Sequence, residues 1–238
     1  SYYHRNGLVR KWSWDMSTEL EFSQRGYIDL LERIKAADYS FAGMSDALSI
    51  DGKCILLRHD VDFSVRYALE MAHLENQQGV KSTYFFMTTS EFYNIFCEEN
   101  RKAIRQINEL GHEIGLHWDS RFSPQSSELI DRLFVNQLSL LSEILGHSVK
   151  SASQHVPTDT PAIKVDHLVE VEAYSTEVMH RFAYVSDSSM QWREHTPLDL
   201  IEDGVSFQFL AHPIWWMSDG FAYETKFKSF LESEIVSV

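Results

Sequence analysis

Cysteine is almost missing from this sequence: Cys54 and Cys97 are the two among 238 residues. Two thiols cannot form a disulfide framework, and their apolar neighbours predict buried free thiols. Long apolar runs are missing too. None reaches the roughly 20 residues that a membrane-spanning helix needs, and the opening Ser1-Tyr2-Tyr3-His4-Arg5 lacks the apolar segment of a secretory signal. These absences point to a reducing cytoplasm. Positive charge is scarce, with 21 basic against 35 acidic residues and a formal charge of −14. That disfavours a nucleic-acid partner, which needs clustered Lys and Arg, and leaves the acidic surface as a solvated face. There is no repeat and no low-complexity stretch, and nothing sets an oligomeric state. What is present is a globular composition, 44% hydrophobic and 13% aromatic. The length suits one domain with a full core, residues 1–238.

Periodicity places the elements in order. Residues 1–22, with Trp12, Trp14 and Phe22, read as an arm or edge hairpin. Tyr27, Ile28, Leu31 and Ile34 recur at helical spacing, predicting a helix over 23–37. Residues 41–50 form a connection closed by a turn at Asp51-Gly52, and a strand follows over 54–58. Val65, Leu69, Ala72 and His73 give a helical stripe that stops at Gly79. Strand-forming residues fill 82–87. Ile104, Ile107 and Leu110 mark a helix before a short strand at 113–116. Ser126 or Ser127 caps a helix that ends at Gly146, followed by a strand at 149–153. Pro157 and Pro161 mark a loop, and 163–179 shows no clear period. Strands are expected at 182–186 and 205–211, with a closing helix over 221–238. Alternating strands and helices imply right-handed βαβ units and a mostly parallel sheet or barrel. In such folds functional groups gather at the C-terminal strand ends.

The predicted strand ends fit that rule. Leu56-Leu57-Arg58-His59-Asp60-Val61-Asp62 follows the first strand. In extended chain Asp60 and Asp62 face one space, and two anions there repel unless a proton or cation separates them. Later ends bring His117-Trp118-Asp119, Gln154-His155-Val156-Pro157, Asp187-Ser188-Ser189 and His212-Pro213-Ile214-Trp215-Trp216. Asp and His are a natural ligand set for a divalent ion such as Zn²⁺. Taken singly, each has a plainer reading. Asp60 and Asp62 can be turn or cap residues, and Asp187 an Asx turn. His59 and His112 can be structural, and at least one of Trp215 and Trp216 core. His73, His147, His167, His180 and His195 show no ligand spacing. It is the joint placement that points to a site.

Arg58-His59-Asp60-Val61-Asp62, then Gly111-His112-Glu113-Ile114-Gly115-Leu116-His117, then His212-Pro213, resembles the polysaccharide deacetylase family. This is the NodB-homology group, carbohydrate esterase family 4, and specifically a branch found with bacterial O-antigen and surface-polysaccharide biosynthesis. The resemblance covers roughly 54–217. It implies a distorted (β/α) barrel of seven parallel strands and metal-assisted hydrolysis of an N-acetyl group on a sugar or polysaccharide precursor. It implies Asp60 as general base, Asp62 and His117 as metal ligands, His212 as general acid and Asp187 as its orienting carboxylate. Trp192 and Trp215 are the implied groove aromatics. Zn²⁺ is the expected ion, with Co²⁺, Ni²⁺ and Mn²⁺ as alternatives. Two positions depart from the family pattern. Arg121 stands where a second histidine is usual, and a guanidinium has no lone pair to coordinate with. Gln154-His155-Val156-Pro157 stands where an Arg before a Pro is usual. A swap reconciles them: His155 becomes the third ligand, with Asp119 as substitute, and Arg121, also a candidate substrate-binding residue, supplies the positive charge missing near the base. The alternatives are another C–N amide hydrolase on the same barrel, or a degenerate barrel that binds sugar without turnover through Trp192, Trp215 and Trp216.

Overall fold

The structure is a computed structural model that describes residues 20–119, 126–157 and 164–236. Its organising strand is β2 (Cys54–Val61), buried along its whole length, as a strand covered on both faces must be. Ile55, Leu57 and Val61 join the large core beneath the helices, whereas Cys54 and Leu56 join a smaller apolar cluster on the opposite face. The alternation continues upward: His59 turns outward, and Arg58 and Asp60 turn inward to meet Gln208 and Ser153. The inner face is therefore apolar at its floor and polar at its mouth.

Around β2 lie β1 (Ser40–Ala42), β3 (Thr83–Phe86), β4 (Glu113–Asp119), β5 (Ser151–His155), β6 (Val171–Glu172), β7 (Ala183–Ser186) and β8 (Phe207–Ala211). The order is β6-β5-β4-β3-β2-β8-β7, and every pairing is parallel. The short β1 pairs with residues 54–56, below β3, which pairs with residues 58–61. The sheet curls into a distorted half-barrel of seven parallel strands, with β1 as an addition at its foot. Side chains of β7 and β8 reach across to the turn that follows β6. The Tyr174 and Tyr184 hydroxyls lie 3.4 Å apart, and Gln208 donates to the Ala173 carbonyl at 3.1 Å.

The helices are α1 (Gln24–Ala36), α2 (Val65–Gln77), α3 (Glu98–Glu109), α4 (Ser127–Leu145), α5 (Thr176–Arg181), α6 (Pro197–Asp203), α7 (Pro213–Met217) and α8 (Tyr223–Val236). Ser23 caps α1 by accepting from Gly26 N–H, and the helix buries Tyr27, Leu30, Leu31 and Ile34. Each of those side chains contributes roughly 1.5–3 kcal/mol. Ser64 caps α2, whose buried face is Val65, Tyr67, Ala68, Met71, Ala72 and Glu75. This corrects the expected stripe through Leu69 and His73, which are only half-buried. Cys54 is buried as expected, but Cys97 is exposed at the head of α3. The segment 41–50, expected as a plain connection, begins with β1 and a single 3₁₀ turn at Met44–Asp46. The expected N-terminal arm lies outside the described residues up to position 19. No described helix is long and apolar enough to cross a membrane.

Candidate metal and acid-base site

Parallel register builds the site. Residues two apart on a strand share a face, and paired residues on neighbouring strands sit side by side. β4 therefore sends Glu113, Gly115, His117 and Asp119 inward, next to Ser151, Ser153 and His155 of β5. Asp60 faces them from β2, and Asp62 follows just beyond the strand end.

Three imidazoles converge on Asp62. His117 Nε2 lies 3.1 Å from its Oδ1, His155 Nε2 4.0 Å from the same oxygen, and His212 Nε2 3.7 Å from Oδ2. Each ring is held from behind through Nδ1. His117 donates to the Ser153 carbonyl at 3.0 Å, His155 to Asp119 at 3.3 Å and His212 to Asp187 at 2.6 Å. Asp187, fully buried, also accepts from the His212 backbone N–H and from Trp216 Nε1 at 2.7 Å. It thus fixes the His212 ring in orientation.

Asp60 is held on one side only. Its Oδ2 accepts from Arg58 at 3.1 Å and from Ser153 Oγ at 3.4 Å, while Oδ1 is buried without a hydrogen-bond partner among the described residues. Arg58 is itself fully buried, donating to Gln208 at 3.1 Å and to the Tyr174 hydroxyl at 2.6 Å. Among the described residues the cation beside Asp60 is Arg58, from the same strand. Arg121 lies outside the described residues. Burial pushes the Asp62 carboxyl up, but His117, His212 and His155 together outweigh it and hold the group well below its ordinary value. Burial also pushes His117 down, and Asp60 and Asp62 outweigh it and raise it.

The residues fit a divalent cation. Ligand atoms of Asp62, His117 and His155 lie within 4.8 Å of one another. Asp62 Oδ1 is buried, and His117 Nε2 approaches it without making a hydrogen bond. A carboxylate and two imidazoles that leave a position open is a donor set used by catalytic zinc. Asp119 reaches the far nitrogen of His155 and is not in the cluster among the described residues.

The tryptophans pack against other rings. Trp215 and Trp216 are 3% and 1% exposed. Trp215 packs on Tyr223 and Phe63, and Trp216 on Phe22 and Tyr27. Both rings are buried among other aromatic side chains. Trp192 is half-buried and stacks on Phe22 with ring centres 5.4 Å apart. His59 and His112 are structural. His59 spans the Ala211 carbonyl and Glu75, and His112 contacts Ser82 and the Ala72 carbonyl. Sequence reasoning missed Arg58, although its spacing of two from Asp60 already put both on one strand face. Two surface clefts, of about 580 and 600 Å³, lie away from these groups, the first around Gly43, Lys81 and Glu113 at the opposite end of the barrel.

No protein-family model matches the sequence, and a search of curated proteins finds no match. Solved structures do match. Streptococcus pyogenes deacetylase PplD, in complex with acetate, superposes with a TM-score of 0.50 over 94% of this chain and 93% of its own, at 11% identity. The chain has the fold of that deacetylase. Its structural neighbours include members of carbohydrate esterase family 4. One is wild-type BA3943 from Bacillus anthracis, described as a pseudoenzyme of that family, with a TM-score of 0.47, 14% identity and 77% of this chain covered. This chain spans 62% of that structure, less than two thirds. IcaB from Ammonifex degensii matches with a TM-score of 0.44 and 14% identity over 87% of this chain and 89% of its own.

Proposed function

We propose that this chain is a metal-dependent hydrolase that removes an N-acetyl group from an amino sugar, acting on a surface-polysaccharide precursor of the O-antigen type. The observation that carries the reading is the convergence of three back-held imidazoles on Asp62, beside an Asp60 oxygen with no hydrogen-bond partner among the described residues. The sugar and polysaccharide part rests on the sequence resemblance.

Amides hydrolyse slowly because the carbonyl is a weak electrophile and the amine a poor leaving group. Asp62, His117 and His155 would hold the ion, which supplies Lewis acidity to the acyl oxygen and to the attacking water. Asp60 takes the proton of that water on Oδ1, because Oδ2 is occupied by Arg58 and Ser153. His212 hands a proton to the departing nitrogen. Asp187 and Asp62 outweigh the penalty of burial and hold that ring's pKa up to about 9, so it carries its proton at neutral pH. The burial of Trp215 and Trp216 argues against a barrel that binds sugar through these rings alone.

The test pairs elemental analysis with acetate release from N-acetylglucosamine oligomers. Asp60→Asn is expected to keep its ion and lose turnover by about 10²–10⁴-fold, the usual worth of a positioned base. Asp62→Ala and His117→Ala are expected to lose the ion. Full turnover in Asp60→Asn would remove the base assignment. Wild-type protein that takes up no divalent ion on reconstitution would remove the reading as a whole.

A further inference from the structure

We propose that Asp119 is a positioning residue that makes His155 the third ligand, so that the site is completed from β5 through a carboxylate on β4. The inference rests on the metal-binding reading above.

It starts from register. Asp119 pairs with His155, and one rung below, His117 pairs with Ser153. Both rungs point into the barrel mouth, and each holds one imidazole by its Nδ1, the lower through the Ser153 carbonyl and the upper through the Asp119 carboxylate. The two rings stand edge to face, with centres 5.2 Å apart and planes at 77°. Both therefore aim Nε2 at Asp62.

Tautomer supplies the chemistry. A neutral imidazole has one N–H and one lone pair. Asp119 accepts the Nδ1 proton of His155, which puts the lone pair on Nε2, the atom that faces Asp62. Without that acceptor the ring loses a hydrogen bond that favours this tautomer over the other, whose Nε2 cannot ligate. Its χ2 torsion also loses a restraint. Carboxylates placed behind ligating histidines commonly contribute 10–100-fold in metal affinity. The Asp119 side chain is 1% exposed, against 19% for His155, so the acceptor is shielded from competing water. His212 and Asp187 repeat the arrangement across the site, where the ring serves as proton donor. One device is used twice, for a lone pair and for a proton.

The experiment measures Zn²⁺ affinity of the full chain by competition with a chromophoric chelator, for wild type, Asp119→Ala, His155→Ala and the double variant, with melting temperatures of the metal-free proteins alongside. Asp119→Ala is expected to bind 10–100-fold more weakly, and His155→Ala more weakly still. In metal affinity the double variant is expected to fall closer to His155→Ala than to the sum of the two single losses, because Asp119 reaches the cluster through that ring. A carboxylate that merely supported the fold would lower the melting temperature and leave the cycle without that coupling. Wild-type affinity in Asp119→Ala would overturn the inference. So would losses that add in the double variant, or a His155→Ala variant that binds like wild type. Wild-type protein that binds no Zn²⁺ is a different result, because it removes the metal site itself.

Discussion

Burial pushes the His212 imidazole toward its neutral form, but Asp187 at 2.6 Å, then Asp62 and Asp60, outweigh it and lift the pKa to about 9. In the acid role proposed for it the ring works only while it holds its proton, so kcat should be level through neutral pH and fall as pH rises past about 9. A cation on Asp62 cancels part of that carboxylate's pull, and the limb of the loaded protein then lies somewhat below 9. Asp187→Asn removes the largest attraction and should move the limb to lower pH. His212→Ala should abolish the limb and slow turnover by about 10²–10⁴-fold with metal content unchanged. A kcat–pH profile of the three proteins checks this, and a limb that stays put in Asp187→Asn would separate the ring from the pH dependence. At this scale the sequence was a fair guide to which residues meet and a poor one to their partners. Asp60, Asp62, His117 and His212 all sit in recognisable local motifs. Arg58 lies in the same motif, yet its partners Gln208, on β8, and Tyr174, in the turn after β6, are distant in sequence, so its burial could not be read locally.

Among the elements, β4 has little room on its inward face. Gly115 lies between Glu113 and His117 on its inward face, paired with Phe85 of β3. A methyl group there would run into the Phe85 ring and Ser151 Oγ. Gly115→Ala should therefore cost about 1–3 kcal/mol from overpacking and, by moving β4, weaken the proposed metal site two residues on. Gly146→Ala is the control. Its φ of 76° ends α4 and nothing crowds it, so the cost of about 1–2 kcal/mol comes from backbone alone. Urea midpoints and Zn²⁺ affinities of both variants should show two destabilised proteins, of which Gly115→Ala alone binds metal weakly. The same inward face explains where reading the elements failed. The strand expected at 54–58 runs to Val61, that at 113–116 to Asp119, and that at 149–153 lies at Ser151–His155. Polar runs such as His59-Asp60 and His117-Trp118-Asp119 look like loop in a chain whose strands are expected to be apolar. Here they are strand, because the barrel mouth is lined with polar groups that satisfy one another. The α6 helix was missed although Thr196, Pro197 and Asp199 form a capping box with proline in the first turn; seven residues give too little periodicity to register.

Across the whole molecule, one buried carboxylate ties the site's strand to the helical layer. Glu75 of α2 accepts from Tyr27 of α1, from His59 of β2 at 2.7 Å, and from Ser82 and Tyr84 at 2.6 and 2.8 Å. Burial, and then the Glu75 charge, raise the Tyr27 and Tyr84 phenols well above their ordinary value, so both remain donors. β2 is thus anchored outward through His59, while Arg58 and Asp60, either side of it in sequence, face the site. Burial pushes the Glu75 carboxyl up, and His59, His112 and Ser82 outweigh it and bring it down to about 2 from 4.5. A carboxylate depressed in the fold contributes stability that is complete above its unfolded value and is lost as pH falls through its folded one. The window is therefore pH 4.5 down to about 2, and a shift of that size corresponds to roughly 3 kcal/mol. Asp62 is also depressed, so the wild-type curve alone cannot isolate Glu75, and the difference from Glu75→Gln can. Denaturant unfolding at pH 7, 4.5 and 2.5 should show Glu75→Gln less stable by about 3 kcal/mol at the first two values, with the gap narrowing toward pH 2.5. A gap constant across the window would mean that Glu75 is not ionised in the fold, and that neutral hydrogen bonds alone hold β2 to the helices.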